Sequence, residues 1–537
     1  MTMRWWGWGE DSHQARLGPA ARGMLAERIG DARPAERVAL EQVAMPEARP
    51  VPDGLRAAVN EASVLTAHEH RVRRAAGRSY PDLIRLREGR LESAPDAVVL
   101  PGSAEQVARV LDVCAREGVA VVPFGGGTSV VGGVDALAGD HAAVIALDLR
   151  RMRRCEVDAE SLTAQLGPGL RGPEAEAALA EHGATLGHFP QSFEYATIGG
   201  FAATRSAGQA SAGYGRFDEL VTALTMVSPA GELRTLETPH TAAGPALREL
   251  VLGSEGTMGV ITDVTARLRP LPESRRYEGW IAPDFDSGAE VVRALAQDHA
   301  LPDVTRLSDQ SETTVSMALS GTSGAKRAAL GAYLGVRRRR GGCMLICGWE
   351  GSAEDVERRR ALSARILRAG GAAALGSAPG RAWEHGRFQG PYLRDELLDL
   401  GYFVETLETS HTWSRYRELY EAVRSAIAGA LDAQGTPGIV MCHLSHAYAD
   451  GASLYYTFIA PRRPGAEIEQ WRSVKSAACE AIVAHAGTIT HHHAVGRDHA
   501  PYMPAEVGEV GLDALRAVKD RLDPAGIMNP GKLFPGP

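Results

Sequence analysis

The spacing of apolar residues changes character along this chain, and each change marks an element. Starting at Ala97, AVVLPGSAEQVARVLDVCAREGVAVVPFGGG predicts a β-α-β unit. A short β-branched run leads into a helix with Val107, Val110, Leu111 and Cys114 on one face, and a buried strand follows at Val119 to Val122. Ser103 followed by Gln106 predicts a capping box, and Gly118 a helix stop. Further strands are expected at 142–148, 162–169, 220–229 and 259–270. Beyond the Arg-Pro-Leu-Pro stretch at 269–272, strands near 277–282, 342–349 and 454–460 alternate with helical segments. Residues 1–93, rich in Arg, Ala, Glu and Pro, carry helical stretches such as AARGMLAERIG and GLRAAVNEASV and read as an N-terminal helical collar. The fold class is α+β, divided into segments 1–93, 94–273 and 274–537.

At 537 residues the chain exceeds one hydrophobic core, and 44% hydrophobic with 23% charged residues is an ordinary globular composition. A net charge of −8 opposes attraction to nucleic-acid phosphates. Six cysteines without a CxxC pair suit buried thiols in a reducing compartment. Cys343 and Cys347, four apart on a strand, should face one core rather than a metal. The start lacks the pattern of a signal peptide, and no run approaches the roughly 20 apolar residues of a membrane span, so a soluble cytoplasmic protein is expected. The arginines at 337–340 read as a solvated turn.

Four stretches carry chemistry. PFGGGTSVVGG follows a buried strand, and its glycines let backbone N–H groups approach an anion such as a diphosphate. It is neither the Rossmann GxGxxG nor a P-loop. PQSFEYATIGGFAATRSAG (190–208) and GSEGTMGVIT (253–262) are dense in Gly, Ser and Thr, and their ordering entropy is sensible if they wrap a cofactor. THHHAVG (490–496) sets three histidines side by side, too far inside the chain to be a tag. On a strand their side chains would alternate faces, so they could not all reach one ion, and no metal is expected.

The succession PFGGGTS, PQSFEYATIGGFAATRSAG and GSEGTMGVITDV resembles the FAD-binding domain of the vanillyl-alcohol oxidase and p-cresol methylhydroxylase (PCMH-type) superfamily. Within it the chain is most similar to the alkyldihydroxyacetonephosphate synthase (alkylglycerone-phosphate synthase) family of ether lipid biosynthesis. RWWGWGE, LGHFPQS, TRLSD, PYLRD, VETLETSHTW, ADGASLYYTF, THHHAVG and NPGKLF carry that resemblance over most of the chain. It implies a two-subdomain FAD-binding domain, a substrate (cap) domain and a C-terminal segment returning to the flavin. Pro123, Phe124, Gly125, Gly126, Gly127, Thr128 and Ser129 would hold the diphosphate of a non-covalent FAD. Gln191, Ser192, Phe193, Glu194, Tyr195, Ala196 and Thr197, with Thr204, Arg205, Ser206 and Ala207, would line the flavin and ribityl chain. Glu255, Gly256, Thr257, Met258, Gly259, Val260 and Ile261 would contact the adenine half. Tyr455 falls at the general acid/base, Arg394 at the phosphate-binding arginine, His491, His492, His493 and His188 at histidines important for activity, and Arg306 at a structurally sensitive arginine. The resemblance also implies lipid substrates, peripheral membrane contact and a homodimer.

Read without the family, Tyr455 or Tyr456 could be strand core, and Arg394 could pair with Asp395. An imidazole or guanidinium beside Tyr455 would ease its deprotonation, and of the three histidines His492 is the one expected to face the chemistry. Two activities stay open. One is a non-redox transferase that replaces the acyl chain of acyl-dihydroxyacetone phosphate with a fatty alcohol, FAD acting as electron sink. The other is an FAD-linked oxidoreductase acting on a 2-hydroxy acid or a glycerol-phosphate-like alcohol, which the extra His443 and His446 would serve as bases. CHLSHAYADG and RAWEHGRFQG depart from the animal synthases.

Overall fold

The computed structural model describes residues 3–13, 15–30, 32–319 and 324–536. The β-α-β unit is there: Ala97–Val99, helix Ala104–Glu117 and Val119–Phe124, both strands lying parallel to Ala143–Asp148 between them. Ser103 Oγ accepts the Gln106 N–H at 3.3 Å, but the Gln106 carbonyl reaches back to the N–H of Gly102, at 2.6 Å, rather than to Ser103. Gly118 closes the helix with φ 63, a left-handed conformation that costs glycine little.

Strand Val64–Leu65 completes this four-stranded sheet, antiparallel to Ala97–Val99. Residues 54–65, which composition groups with the N-terminal segment, therefore pack into the first sheet, helix Gly54–Val59 against Ala104–Glu117. The expected collar is only partly helical, over Pro19–Ile29, Gly54–Val59, His68–Val72 and Tyr80–Glu88. RWWGWGE is a buried, non-helical strap, because the Arg78 guanidinium draws in the carbonyls of Gly7 and Arg4 at 3.0 and 2.8 Å. The chain's end adds to the same sheet: the Val121 N–H donates to Ile527 O and the Asn529 N–H to Val121 O, both at 2.8 Å.

A second, five-stranded antiparallel sheet runs in the order Cys155–Asp158, Thr163–Leu166, Val260–Arg267, Val221–Ser228 and Gly231–Arg234. The strand expected over 162–169 stops at Leu166, where Gly167 and Gly169 pass so close to the carbonyls of Met152 and Leu149 that a Cβ would lie 2.5 and 2.1 Å from them. These two sheets form the first lobe.

The second lobe is a seven-stranded antiparallel sheet ordered Ala373–Gly376, Ser274–Ala282, Cys343–Gly351, Val304–Ser308, Ile439–Ala447, Gly451–Pro461 and Tyr402–Thr412. Sequence patterning missed Val304–Ser308, Tyr402–Thr412 and Ile439–Ala447. One face carries Trp280, Trp349, Phe403, Cys442, Tyr456 and Phe458, under helices Phe285–Gln297, Tyr416–Ala433 and Glu467–Ala484. Cys343 and Cys347 lie in this core, where burial pushes the Cys343 thiol up to about 12. The other face is split. Tyr402, Val404, Met441 and Ile459 pack with Leu17 and with Leu25 and Ile29 of helix Pro19–Ile29, and Tyr277, Val304 and Ile346 pack with Ala210 and Tyr214 of the first lobe. Arg337–Arg340 form an exposed turn, and no helix among the described residues is long and apolar enough to cross a membrane.

Phe403, fully buried, meets Tyr80 of helix Tyr80–Glu88 at 4.5 Å and Phe458 at 5.3 Å between ring centroids. Phe403→Ala should lower stability by about 3–5 kcal/mol, measured by urea unfolding.

Candidate active site

Antiparallel register places Glu408, Tyr455 and His443 in one row across three neighbouring strands, on the face opposite Leu407, Tyr456 and Cys442. Tyr456 is thus the core tyrosine and Tyr455 the site tyrosine. The His443 ring lies parallel to Tyr455 with centroids 4.8 Å apart. His492 lies parallel to it on a longer contact of 5.9 Å, and His493 meets it edge-on at 5.4 Å. Burial pushes the Tyr455 hydroxyl up to about 12; a hydrogen bond with the Thr406 side chain and the Arg306 guanidinium ease its deprotonation, but burial outweighs them.

The histidines sit on a turn rather than a strand, so alternation of faces does not apply. One buried carboxylate organises them. Glu408 accepts the N–H groups of His491, His492 and His493 at 2.6, 3.1 and 2.8 Å and the Thr490 hydroxyl at 2.6 Å. The next residues are held from the first lobe, where Glu255 accepts the N–H of Val495 at 2.8 Å and of Gly496 at 2.9 Å. Burial pushes the Glu255 carboxyl up to about 7 against those bonds. For Glu408 burial acts in the same direction but is outweighed by His492, His493, His491 and the Thr490 hydroxyl, so its carboxyl lies well below the ordinary range. The imidazoles are lowered by burial, His493 to about 3, and stay neutral. Within the turn His491 Nδ1 faces His492 Nδ1 at 3.0 Å, and His491 Nε2 meets the Tyr448 hydroxyl at 2.7 Å.

Glu312 orients His443 from the far side, accepting its Nδ1–H at 3.2 Å, while its other oxygen pairs with Arg306. Burial would raise Glu312, but His443 and Arg306 hold it at about 2. Arg306 therefore reaches the site through Glu312. His446, at a bulge with φ 47, bonds Ser211 Oγ at 2.6 Å and packs against His491 and His492.

Arg394 does not pair with Asp395, whose carboxylate takes the Trp8 N–H at 2.6 Å and Arg87 at 3.0 Å. Its Nη1 donates to Arg78 O at 2.8 Å, while the Nε/Nη2 edge, the fork that meets an oxyanion bidentately, donates to no acceptor among the described residues. Arg394 and Tyr455 lie close enough to influence each other electrostatically.

The glycine loops converge as a cofactor cradle would. A Cβ on Gly125 would lie 2.4 Å from Thr197 Oγ1, and one on Gly126 2.1 Å from Tyr195 O, so 123–129 and 191–197 touch main chain to main chain. The N–H groups of Gly126, Gly127, Thr128 and Ser129 have no acceptor among the described residues, which fits a diphosphate. Gly256 packs on Pro123. Met258, Val260 and Ile261 bury their side chains in the apolar cores and the Glu255 carboxylate is spent on Val495 and Gly496, so 255–261 presents mainly main chain to a cofactor. Gln191 bonds the Arg387 carbonyl at 2.9 Å, and Arg205 pairs with Asp218 and Glu249. His188 stands apart from the other histidines. It is buried between Phe201 and Phe217 and bonded to Ser206 Oγ at 3.1 Å, and burial lowers it to about 3.

Sequence reasoning did not single out Glu408, Glu312 or Tyr448. Glu408 lies in VETLETSHTW and Tyr448 in CHLSHAYADG, but no local pattern shows what an isolated Glu or Tyr will touch. Glu408, His491 and His492 offer ligand atoms within 4.8 Å of one another, yet the Glu408 oxygens are already filled by four donors, which argues against a built metal site.

A carboxyl depressed by folding contributes stability that is fully present above its unfolded value, near pH 4.3, and is lost as pH falls through the folded value. Glu408→Gln should therefore cost about 1–3 kcal/mol at pH 7 in urea unfolding, with the gap from the parent narrowing in acid.

Comparison with known proteins agrees with this geometry. Residues 95–237 match the FAD binding domain family and 271–533 the FAD linked oxidases, C-terminal domain, family. The alkyldihydroxyacetonephosphate synthase of Trypanosoma brucei brucei is 33% identical over 500 residues, covering 91% of this chain and 81% of that one. The enzyme of the same name from Dictyostelium discoideum is 33% identical over 473 residues, covering 87% and 77%. A solved alkyldihydroxyacetonephosphate synthase structure superposes with a TM-score of 0.85 at 28% identity, covering 98% of each chain. Sharing a third of its residues over nine-tenths of its length, with both lobes in the same arrangement, the chain belongs to the alkyldihydroxyacetonephosphate synthase family.

Proposed function

We propose that this chain exchanges the acyl chain of acyl-dihydroxyacetone phosphate for a fatty alcohol, as an FAD-dependent alkylglycerone-phosphate synthase. The observation that carries the reading is the pairing of an unfilled, buried guanidinium fork at Arg394 with a protonated tyrosine ringed by neutral imidazoles. Arg394 suits a phosphate dianion, anchoring the headgroup so that its reacting carbon faces Tyr455. FAD is the cofactor, and when bound it supplies an electron-accepting ring that stabilises charge on the headgroup. The amides of Gly126 to Ser129 would hold its diphosphate, with Tyr195 to Thr197 and Ser206 alongside.

Tyr455, protonated at neutral pH, gives its proton to the departing carboxylate and regains one from the incoming alcohol. His443 keeps its Nδ1–H on Glu312, which leaves Nε2 as the basic nitrogen beside the phenol. The three-histidine turn closes the remaining side of the pocket. The charges assembled there include the carboxylates of Glu312 and Glu408 and the guanidiniums of Arg306 and Arg394.

Incubation with palmitoyl-dihydroxyacetone phosphate and hexadecanol should give the ether product without reducing an electron-acceptor dye. Dye reduction by lactate, glycolate or glycerol 3-phosphate with no ether product would instead establish an oxidoreductase. Tyr455→Phe should keep FAD but lose turnover by on the order of 100-fold or more in that assay. Gly126→Ala should fold yet purify without the yellow flavin spectrum, because its methyl would overlap Tyr195 O.

A further inference from the structure

A phosphate ester carries close to two negative charges at neutral pH, since its second proton leaves near pH 6. Arg394 offers it one positive charge. A second guanidinium lies behind that one. Arg78 is 4% exposed, and its Nε, Nη1 and Nη2 donate to the carbonyls of Gly7, Gly77 and Arg4 at 3.0, 2.7 and 2.8 Å. Those acceptors are uncharged, and among the described residues neither Arg78 nor Arg394 forms an ion pair.

The carboxylates nearby are committed elsewhere. Asp395 takes the Trp8 N–H and Arg87, and Glu405 takes the Trp471 indole N–H and the Thr406 N–H, both at 2.7 Å. Asp82 exchanges bonds of 3.2 Å with Ser79 at the start of helix Tyr80–Glu88, and burial together with Asp135 raises its carboxyl well above the ordinary range, which weakens it as a counter-ion. Burial lowers Arg78 only to about 10, against Asp395 and Asp82 and together with Arg394 and Arg73, so it stays charged at neutral pH. Two neighbouring guanidiniums without a counter-ion, one of them fully enclosed, are costly unless a bound anion compensates both.

The main chain of residue 78 fixes the geometry as well. Its N–H donates to Ser129 O at 2.6 Å, at the end of the diphosphate loop, and its carbonyl takes Arg394 Nη1 at 2.8 Å. Gly77 passes so near that loop that a Cβ would lie 2.4 Å from Ser129 O. The open edge of Arg394 is thereby held in fixed relation to the loop that cradles the cofactor.

We infer that Arg78 is the second cation of the phosphate subsite, a positioning residue that matches the site to a dianion from behind Arg394 without touching substrate. The inference rests on the transferase reading, which supplies the phosphate-bearing headgroup. With Arg394 alone, a bound dianion would leave one negative charge buried and unbalanced. With Arg78 the dianion is balanced, and it is a monoanion that leaves a guanidinium uncompensated.

Methyl phosphate and methyl sulfate have nearly the same shape but carry about two and about one negative charges near pH 8. Titration calorimetry on the FAD-loaded protein compares them. The parent should bind the phosphate at least about tenfold more tightly. Arg78→Met should bring the two within about twofold and raise KM for palmitoyl-dihydroxyacetone phosphate on the order of 10- to 100-fold, with KM for hexadecanol and FAD content as in the parent. Loosening of the N-terminal strap alone would weaken both anions alike. An unchanged ratio in Arg78→Met therefore overturns the assignment, as does a parent that binds the two anions equally. If Arg78→Met fails to hold FAD, Arg78→Lys decides, because a buried lysine gives up its proton far more readily than an arginine. A phosphate preference that fades between about pH 7.5 and 9.5 in Arg78→Lys but persists in the parent supports the second cation, and the same course in both overturns it. A parent that makes no ether product yet shows the Arg78-dependent preference overturns the transferase reading alone, whereas ether product with a ratio indifferent to Arg78→Met overturns the second cation alone.

Discussion

Glu408 and Glu255 reach residues 490–496 from opposite sides, one from the edge strand of the seven-stranded sheet and the other from a loop of the first lobe. Together they accept five main-chain N–H donors. Three successive amides converging on one carboxylate form an anion-binding turn whose anion is supplied by the protein. The positions of three imidazoles follow from it, because their Cα atoms cannot move without breaking bonds to a buried charge. Tyr455 gains two of its ring neighbours from that turn and a third, His443, from the adjacent strand.

The electrostatics follow a consistent division. Carboxylates that must stay ionised are given donors enough to outweigh burial, as Glu312 is by Arg306 and His443. Groups that handle protons are left without such support and remain neutral, as the imidazoles and the Tyr455 phenol do. A pocket built this way presents uncharged acid and base groups to a lipid substrate and keeps one guanidinium edge free for an oxyanion.

The parts of the fold legible in sequence were those whose residues answer to a single demand. The strands at 119–124, 143–148 and 343–351 are buried on both faces or nearly so, and their apolar runs announce them. Tyr402–Thr412 and Ile439–Ala447 were missed because one face of each bears the site. Glu408 interrupts the site face of the first and Glu405 its core face, where it takes the Trp471 indole N–H at 2.7 Å, while His443 and His446 interrupt the second, so the apolar period is broken in both strands. The glycine loops were legible because close approach leaves no room for a Cβ at Gly125, beside the Thr197 hydroxyl, or at Gly126, beside the Tyr195 carbonyl. Glu408, Glu312 and Tyr448 were not, since their partners lie 83, 131 and 43 positions away.

The turn at 490–496 also constrains motion. Because its two halves are bonded to different lobes, it acts as a rivet across the interface: swinging the lobes apart would tear N–H groups from a buried carboxylate on one side or the other. Wide hinge opening is therefore a poor route for admitting a long-chain substrate. Entry and exit fall instead to local movements of side chains and loops around a frame that stays shut, and an enzyme of this design would keep its flavin and its histidines in register through every cycle.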